Sequence, residues 1–111
     1  MQGVLNVQDA SGNNMGTAFV IDSHTILTAA HVLYNYKKHT IKKNLRFVVY
    51  DDYDTPTNTV IFPKSYHIPQ DFCNSMQRDL NGDFVYISEW DYAIVTVNDD
   101  LSNYINFDIR N

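Results

Sequence analysis

The sequence predicts an all-β domain, and three observations carry that expectation. Aromatic residues are plentiful, with eight tyrosines and six phenylalanines in 111 residues, and β-branched residues accompany them throughout, a mixture that fills a pleated, half-buried surface. Short β-forming runs recur between turn residues such as Gly, Asn, Asp and Ser. No segment sustains a helical period. The pattern is that of a small barrel or sandwich of about six strands, mainly antiparallel.

Taken in order, Val4 to Val7 is a short first strand, and Ser11-Gly12-Asn13-Asn14 is a hairpin turn, because Gly and Asn tolerate the left-handed backbone that such turns require. Met15 to Ile21 is a strand, Asp22-Ser23 turns the chain, and His24 to Thr28 is another strand. Ala29-Ala30-His31-Val32-Leu33 has good helix formers and fits one helical turn. Tyr34 to Lys43 is polar and basic and reads as a loop, followed by a strongly β run from Leu45 to Tyr50. Asp51-Asp52-Tyr53-Asp54-Thr55-Pro56 is a turn or excursion, and Thr59 to Phe62 resumes a strand. Between Pro63 and Glu89 the signal is weak, with two prolines and an Asn81-Gly82 turn. Tyr92 to Val97 alternates as a strand with one buried face.

The length allows one domain, with no internal repeat or linker, and a chain of this size buries somewhat more than ~60% of its unfolded surface. A net charge of −5 argues against a nucleic-acid partner, whose phosphates demand clustered Lys and Arg. The one basic cluster, Lys37, Lys38, Lys42, Lys43 and Arg46, reads as a solvated loop. No apolar run approaches the ~20 residues of a membrane span, and the start shows no signal peptide. Cys73 is the sole cysteine, so no intrachain disulfide is available, and it is read as an inert, structural thiol. No zinc-type ligand set and no cofactor site are expected. Asp51, Asp52 and Asp54 supply the hard oxygen ligands that calcium takes, but an ordinary acidic turn explains them equally well. His24, His39 and His67 read as surface histidines.

Two stretches carry chemistry. The first is Gly16-Thr17-Ala18-Phe19-Val20-Ile21 with Ile26-Leu27-Thr28-Ala29-Ala30-His31-Val32-Leu33. A histidine directly after two small residues, at the end of an apolar strand, can be held rigidly against packed backbone, as a general base must be. An imidazole titrates near neutral pH and can take a proton and return it. A lone histidine at a strand end is nonetheless more often structural. The second stretch is Glu89-Trp90-Asp91-Tyr92-Ala93-Ile94-Val95-Thr96-Val97. A carboxylate opening so apolar a run is partly buried and needs a donor. An imidazole N–H would satisfy it; so would backbone amides in a simple strand cap, which is the plainer account of Asp91 alone.

Together the two stretches closely resemble the trypsin/chymotrypsin-like serine protease family. That family shows a Gly-x-Ala/Gly-Phe strand, a Leu-Thr-Ala-Ala-His motif and a later Asp-x-Ala-Ile/Leu-Val motif, and all three occur here in that order. The resemblance spans nearly the whole chain. It implies a six-stranded antiparallel Greek-key barrel, the first of the family's two. It also implies that His31 is the general base and then general acid, that Asp91 orients it, and that the amides of Ala30 and His31 hold the Asp91 carboxylate. The sixty-residue separation of His31 and Asp91 is longer than usual and implies an enlarged intervening loop. Val32 stands where animal trypsins place a disulfide-forming cysteine, so the match is closer to the disulfide-free bacterial branch that includes glutamyl endopeptidases and exfoliative toxins.

The pattern breaks at the nucleophile. None of the four glycines, Gly3, Gly12, Gly16 and Gly82, lies in a Gly-x-Ser-Gly sequence, and Asn81-Gly82-Asp83-Phe84 lacks the serine. Cys73 in Asp71-Phe72-Cys73-Asn74-Ser75 lacks the glycines that shape an oxyanion loop. By the resemblance, residues 1–111 are therefore the N-terminal half of a serine endopeptidase, inactive without a C-terminal barrel that brings the serine. Its closing Phe107-Asp108-Ile109-Arg110-Asn111 resembles the start of the interbarrel connection. The expected partners are a protein or peptide substrate of the intact enzyme, the missing barrel, and a second copy of the isolated chain, paired through the apolar surface near His31. Secretion is expected from family habit. The alternative is a stand-alone, non-catalytic barrel acting in binding or regulation. An unrelated oligonucleotide-binding barrel is disfavoured by the acidic balance and the matched motifs.

Overall fold

The structure, a computed structural model, describes residues 4–35, 38, 40–50, 56–75, 77–78, 84–85 and 90–104. Strands β1 (Val4–Gln8), β2 (Asn14–Asp22) and β3 (Thr25–Thr28) form an antiparallel meander. A one-turn helix, α1 (Ala30–Leu33), leads to a short ladder of β4 (Tyr34–Asn35) with β5 (Thr40–Ile41). Next come β6 (Arg46–Tyr50), β7 (Pro56–Ile61), β8 (Pro63–His67) and the helix α2 (Gln70–Ser75). β9 (Gln77–Arg78) pairs with β10 (Phe84–Val85), and β11 (Ala93–Val97) precedes a 3-10 turn at Ser102–Tyr104.

Seven of these strands make one antiparallel sheet in the order β7-β6-β1-β2-β3-β11-β8. Its two marginal strands are consecutive in the chain, with Phe62 alone between them. The chain thus passes from one edge of the sheet to the other in a single bend, and the curled sheet is a barrel. Counted as one bent strand, β7 and β8 give the expected six; the interruption is local. Pro63 has no N–H to donate to a ladder, and the β11–β8 register shifts between Thr96 and Val97, just where Val97 faces Pro63. The order β6-β1-β2-β3, with α1 in the long return to β6, is a Greek key.

The interior follows the two-residue period of strands. Leu5 and Val7 of β1, Val20 of β2, Ile26 of β3, and Ala93, Val95 and Val97 of β11 alternate with half-exposed neighbours around a centre filled by Phe47 and Ile61. The first hairpin turns at Asp9–Asn13, where Gly12 takes a positive φ of 85°. There the Asp9 carboxylate accepts the N–H groups of Ser11 and Asn13 at 2.9 and 3.0 Å, and these bonds hold its pKa below the ordinary value.

The weak region after Pro63 holds two elements that the sequence pattern does not announce. β8 has Tyr66 as its one aromatic and an exposed Lys64-Ser65 pair. α2 starts behind the buried Pro69, whose carbonyl accepts the Phe72 N–H at 3.0 Å, and buries Phe72 fully. Phe72 meets Tyr34 edge to face, with ring centroids 5.9 Å apart. Burial, and then contact with the Cys73 sulfur, push the Tyr34 hydroxyl's pKa up. Cys73 is thus a half-buried thiol packed on the core. The basic stretch read as a loop is built around the β4–β5 ladder, while Arg46 belongs to β6 and lies 5.9 Å from the Phe62 ring centroid. Asp51, Asp52 and Asp54, with Lys37, His39 and Asn81–Asp83, lie outside the described residues.

Candidate active site

The sheet register decides what meets at the end of β3. Thr28, its last residue, pairs with Ala18 on one side and Ala93 on the other. All three are buried, and the Thr28 hydroxyl donates to the Thr17 carbonyl at 2.8 Å. His31 follows three residues after Thr28, and Asp91 precedes Ala93 by two. Because β3 and β11 run antiparallel, both residues emerge at the same end of the barrel.

Two local devices aim them. Ala29 is extended, with φ −77° and ψ 139°, and its carbonyl accepts the Val32 N–H at 3.1 Å, so the chain enters α1 directly from β3. Ala30, Val32 and Leu33 are buried, which leaves His31 as the outward residue of the turn, its side chain 47% exposed. Gly16 of β2 lies so close that an added Cβ would sit 2.7 Å from Val32 Cγ2. On the other side, the Tyr92 N–H donates to the Trp90 carbonyl at 2.9 Å, a three-residue turn that sets Asp91 at the mouth of β11.

His31 and Asp91 meet at two points. The His31 amide donates to Asp91 Oδ1 at 2.8 Å, and His31 Nδ1 lies 2.6 Å from Oδ2. Of the two amides expected to hold the carboxylate, that of His31 does so; Ala30 makes no bond to it among the described residues. Asp91 is 11% exposed, so its charge is largely removed from water and met by these donors. An ionised carboxylate only accepts, which assigns the proton of a neutral His31 to Nδ1 and the basic lone pair to Nε2. The pair can therefore take a proton at Nε2 while Asp91 fixes the ring and stabilises the cation that results.

The other histidines are placed differently. His24 sits in the β2–β3 turn, at the far end of β3, where Nδ1 lies 2.8 Å from the Asp99 carbonyl and its backbone carbonyl accepts the Val97 N–H. His67 is an exposed residue of β8 opposite Ile94.

A family model described as Trypsin matches residues 1–104. The chain belongs to the trypsin family. Among solved structures, 130 chains match, and one, a Glu endopeptidase, superposes with a TM-score of 0.66 at 16% identity. The match covers 95% of this chain and 43% of that one, so the chain spans less than half the length of that enzyme. At this identity the likeness is one of fold, and it confirms the all-β barrel. Comparison with curated proteins gave no match. Gly16 is visible in the sequence as a motif letter, but its reason, close approach to Val32 of α1, is a property of packing.

Proposed function

We propose that His31 and Asp91 are two members of a Ser-His-Asp triad in a serine endopeptidase whose serine comes from a second barrel. In that reading residues 1–111 are the N-terminal half of the catalytic unit. The serine, the oxyanion hole and the specificity pocket lie outside it, and the chain alone does not hydrolyse peptides. His31 Nε2 accepts the proton of the serine hydroxyl as that oxygen attacks the scissile carbonyl, then delivers it to the leaving amine. Asp91 keeps the ring in the Nδ1–H tautomer and stabilises the imidazolium. The intact enzyme acts on protein or peptide substrates after secretion.

The observation that carries this reading is the two-point contact, with Nδ1 and the backbone amide of His31 on separate oxygens of one carboxylate. A structural cap would need only the amide. The test joins this chain to a Gly-x-Ser-Gly barrel and follows cleavage of a peptide substrate. Asp91→Asn should lower kcat by about 10⁴-fold, and His31→Ala by about 10⁶-fold, as the loss of the base does in other triads. Full activity in Asp91→Asn would overturn the assignment. If a properly folded two-barrel protein stays inactive with both residues intact, the non-catalytic module takes its place. The isolated chain is also expected to pair with a second copy through the surface around His31, where Tyr92, 40% exposed, adjoins Asp91. A clean monomer by sedimentation at high concentration would reject that pairing.

A further inference from the structure

The chain leaving α1 builds a concave basic site that the triad does not use. A cavity of about 350 Å³ is lined by Asn35, Lys38, Thr40, Ile41, Lys42 and Lys43. The volume is at the lower end of the range for small-ligand sites, ~300–1,000 Å³. Three of the chain's eight Lys and Arg residues line it, in a protein whose net charge is −5. The positive potential is therefore concentrated here against the sign of the molecule as a whole.

The hairpin's described residues are tied to the barrel and to one another. Tyr34 pairs with Ile41 and Asn35 with Thr40, the Lys42 N–H donates to the Leu33 carbonyl at 2.7 Å, and the Lys38 N–H donates to Asn35 Oδ1 at 3.2 Å. Lys42 is thereby anchored to the last residue of the helix that bears His31. Its ammonium pays a desolvation cost, which lowers its pKa, and among the described residues none of the three lysines has a carboxylate within ion-pair distance. Three like charges held around one cavity repel one another, and an anion placed among them relieves both costs. Ile41 adds an apolar wall. A bare inorganic anion has no use for that wall, whereas the methylene stem of an acidic side chain packs on it.

We propose that this cavity binds the carboxylate of an aspartate or glutamate in a polypeptide lying across the end of the barrel that carries His31. The choice of a polypeptide rests on the endopeptidase reading above. Occupied, the site would favour substrates with an acidic residue on the side of the cleft flanked by the β4–β5 hairpin.

The experiment needs no catalysis. The ¹⁵N-labelled 111-residue chain is titrated with acetyl-Glu-Ala-Glu-amide, with its Gln-Ala-Gln counterpart and with inorganic phosphate, and amide shifts are followed by NMR. The Glu peptide should shift the signals of Lys38 and Thr40–Lys43 saturably, binding about tenfold more tightly than the Gln peptide, the gain of one or two charge pairs of modest strength. Lys42→Gln with Lys43→Gln should remove that preference while the His31 and Asp91 amide signals stay in place. Lys43→Glu, a single exposed change, should do the same if the double variant does not fold. Equal binding of the two peptides would overturn the proposal, as would equal shifts at the exposed Lys64 or binding of phosphate alone. A two-barrel enzyme that cleaves but shows no acidic preference refutes the pocket and leaves the triad standing. A chain that binds the Glu peptide yet never gains activity on completion refutes the triad and leaves the pocket.

Discussion

Replacing Gly16 with alanine tests whether β2 needs a glycine to seat the helix that carries His31. The new Cβ would lie 2.7 Å from Val32 Cγ2 and 3.2 Å from Cγ1, whereas carbon atoms in good contact sit about 3.5–4.0 Å apart. Nearly 1 Å must open between β2 and α1. The strand cannot retreat, because Gly16 pairs with Val7 and its N–H is held by Asn14 Oδ1 at 3.2 Å. Nor can Val32 turn away easily, since a valine in a helix has one favoured χ1 and this one is 5% exposed. The four-residue α1 is the part that yields. Overpacking of this kind costs about 1–3 kcal/mol, which for a domain near this size lowers Tm by about 4–8 °C per kcal/mol. Calorimetry gives the cost, and the His31 amide signal, which senses its bond to Asp91 Oδ1, reports whether the site moved with the helix. In Gly16→Ala/Val32→Ala the missing γ-methyls make room, so the double variant should be more stable than the sum of the single effects predicts. A Gly16→Ala protein within about 0.5 kcal/mol of wild type, with no coupling to Val32→Ala, would refute the argument.

Three further outcomes follow from the described contacts. Thr28→Val keeps the shape but removes the 2.8 Å bond to the Thr17 carbonyl, and should cost about 1–2 kcal/mol by urea unfolding; an unchanged midpoint would show that bond to be dispensable. Phe72→Ala empties a fully buried ring site against Tyr34 and should cost about 3–5 kcal/mol, with Phe72→Leu losing much less. Asp9, Asp22 and Asp100 are held below the ordinary value of 3.8 chiefly by hydrogen bonds: from Asn13 to Asp9, from the His24 amide to Asp22, and from the Ser102 hydroxyl and amide to Asp100. A depressed folded-state pKa means that the unfolded chain takes up protons first, so this stabilisation is complete above about pH 4 and disappears as pH falls through the lower folded values. Asp9→Asn should flatten that acid limb, and an unchanged pH profile would count against the hydrogen bonds as its source.

How much of this was legible in the sequence depends on what each element buries. The strands at Val4, Met15, Leu45 and Tyr92 present apolar side chains at alternate positions to one core, and the pattern reads directly. β7 proved longer than the run from Thr59 to Phe62, beginning at Pro56, because its pairing with β6 extends past the apolar residues that announce it. β8 was hidden by Pro63 and by its polar face, since it owes its place to the ladder with β11 more than to burial. α2 is too short for a helical period to show; a single buried phenylalanine behind a proline carries it. The β4–β5 ladder is not legible in the basic stretch, because two residue pairs are too few for a strand period to show, while Lys38 and Lys43 are exposed as a solvated stretch should be.

The His31–Asp91 pair shows why motif and packing must agree. Sixty residues separate the two, and no local propensity brings them together. The register of β3 on β11 does so, with Thr28 opposite Ala93 and Leu27 opposite Ile94. That register is enforced by burial: shifting β11 by one residue would turn Val95 and Val97 outward and Ile94 and Thr96 into the core. It would also carry Asp91 about 3.4 Å along the strand, and a contact of 2.6 Å between Nδ1 and Oδ2 cannot survive such a step. The apolar alternation of Ala93–Val97 is therefore as much a determinant of the histidine's tautomer as the aspartate itself. A polar residue at Val95 should loosen the His31 ring even though it touches neither partner.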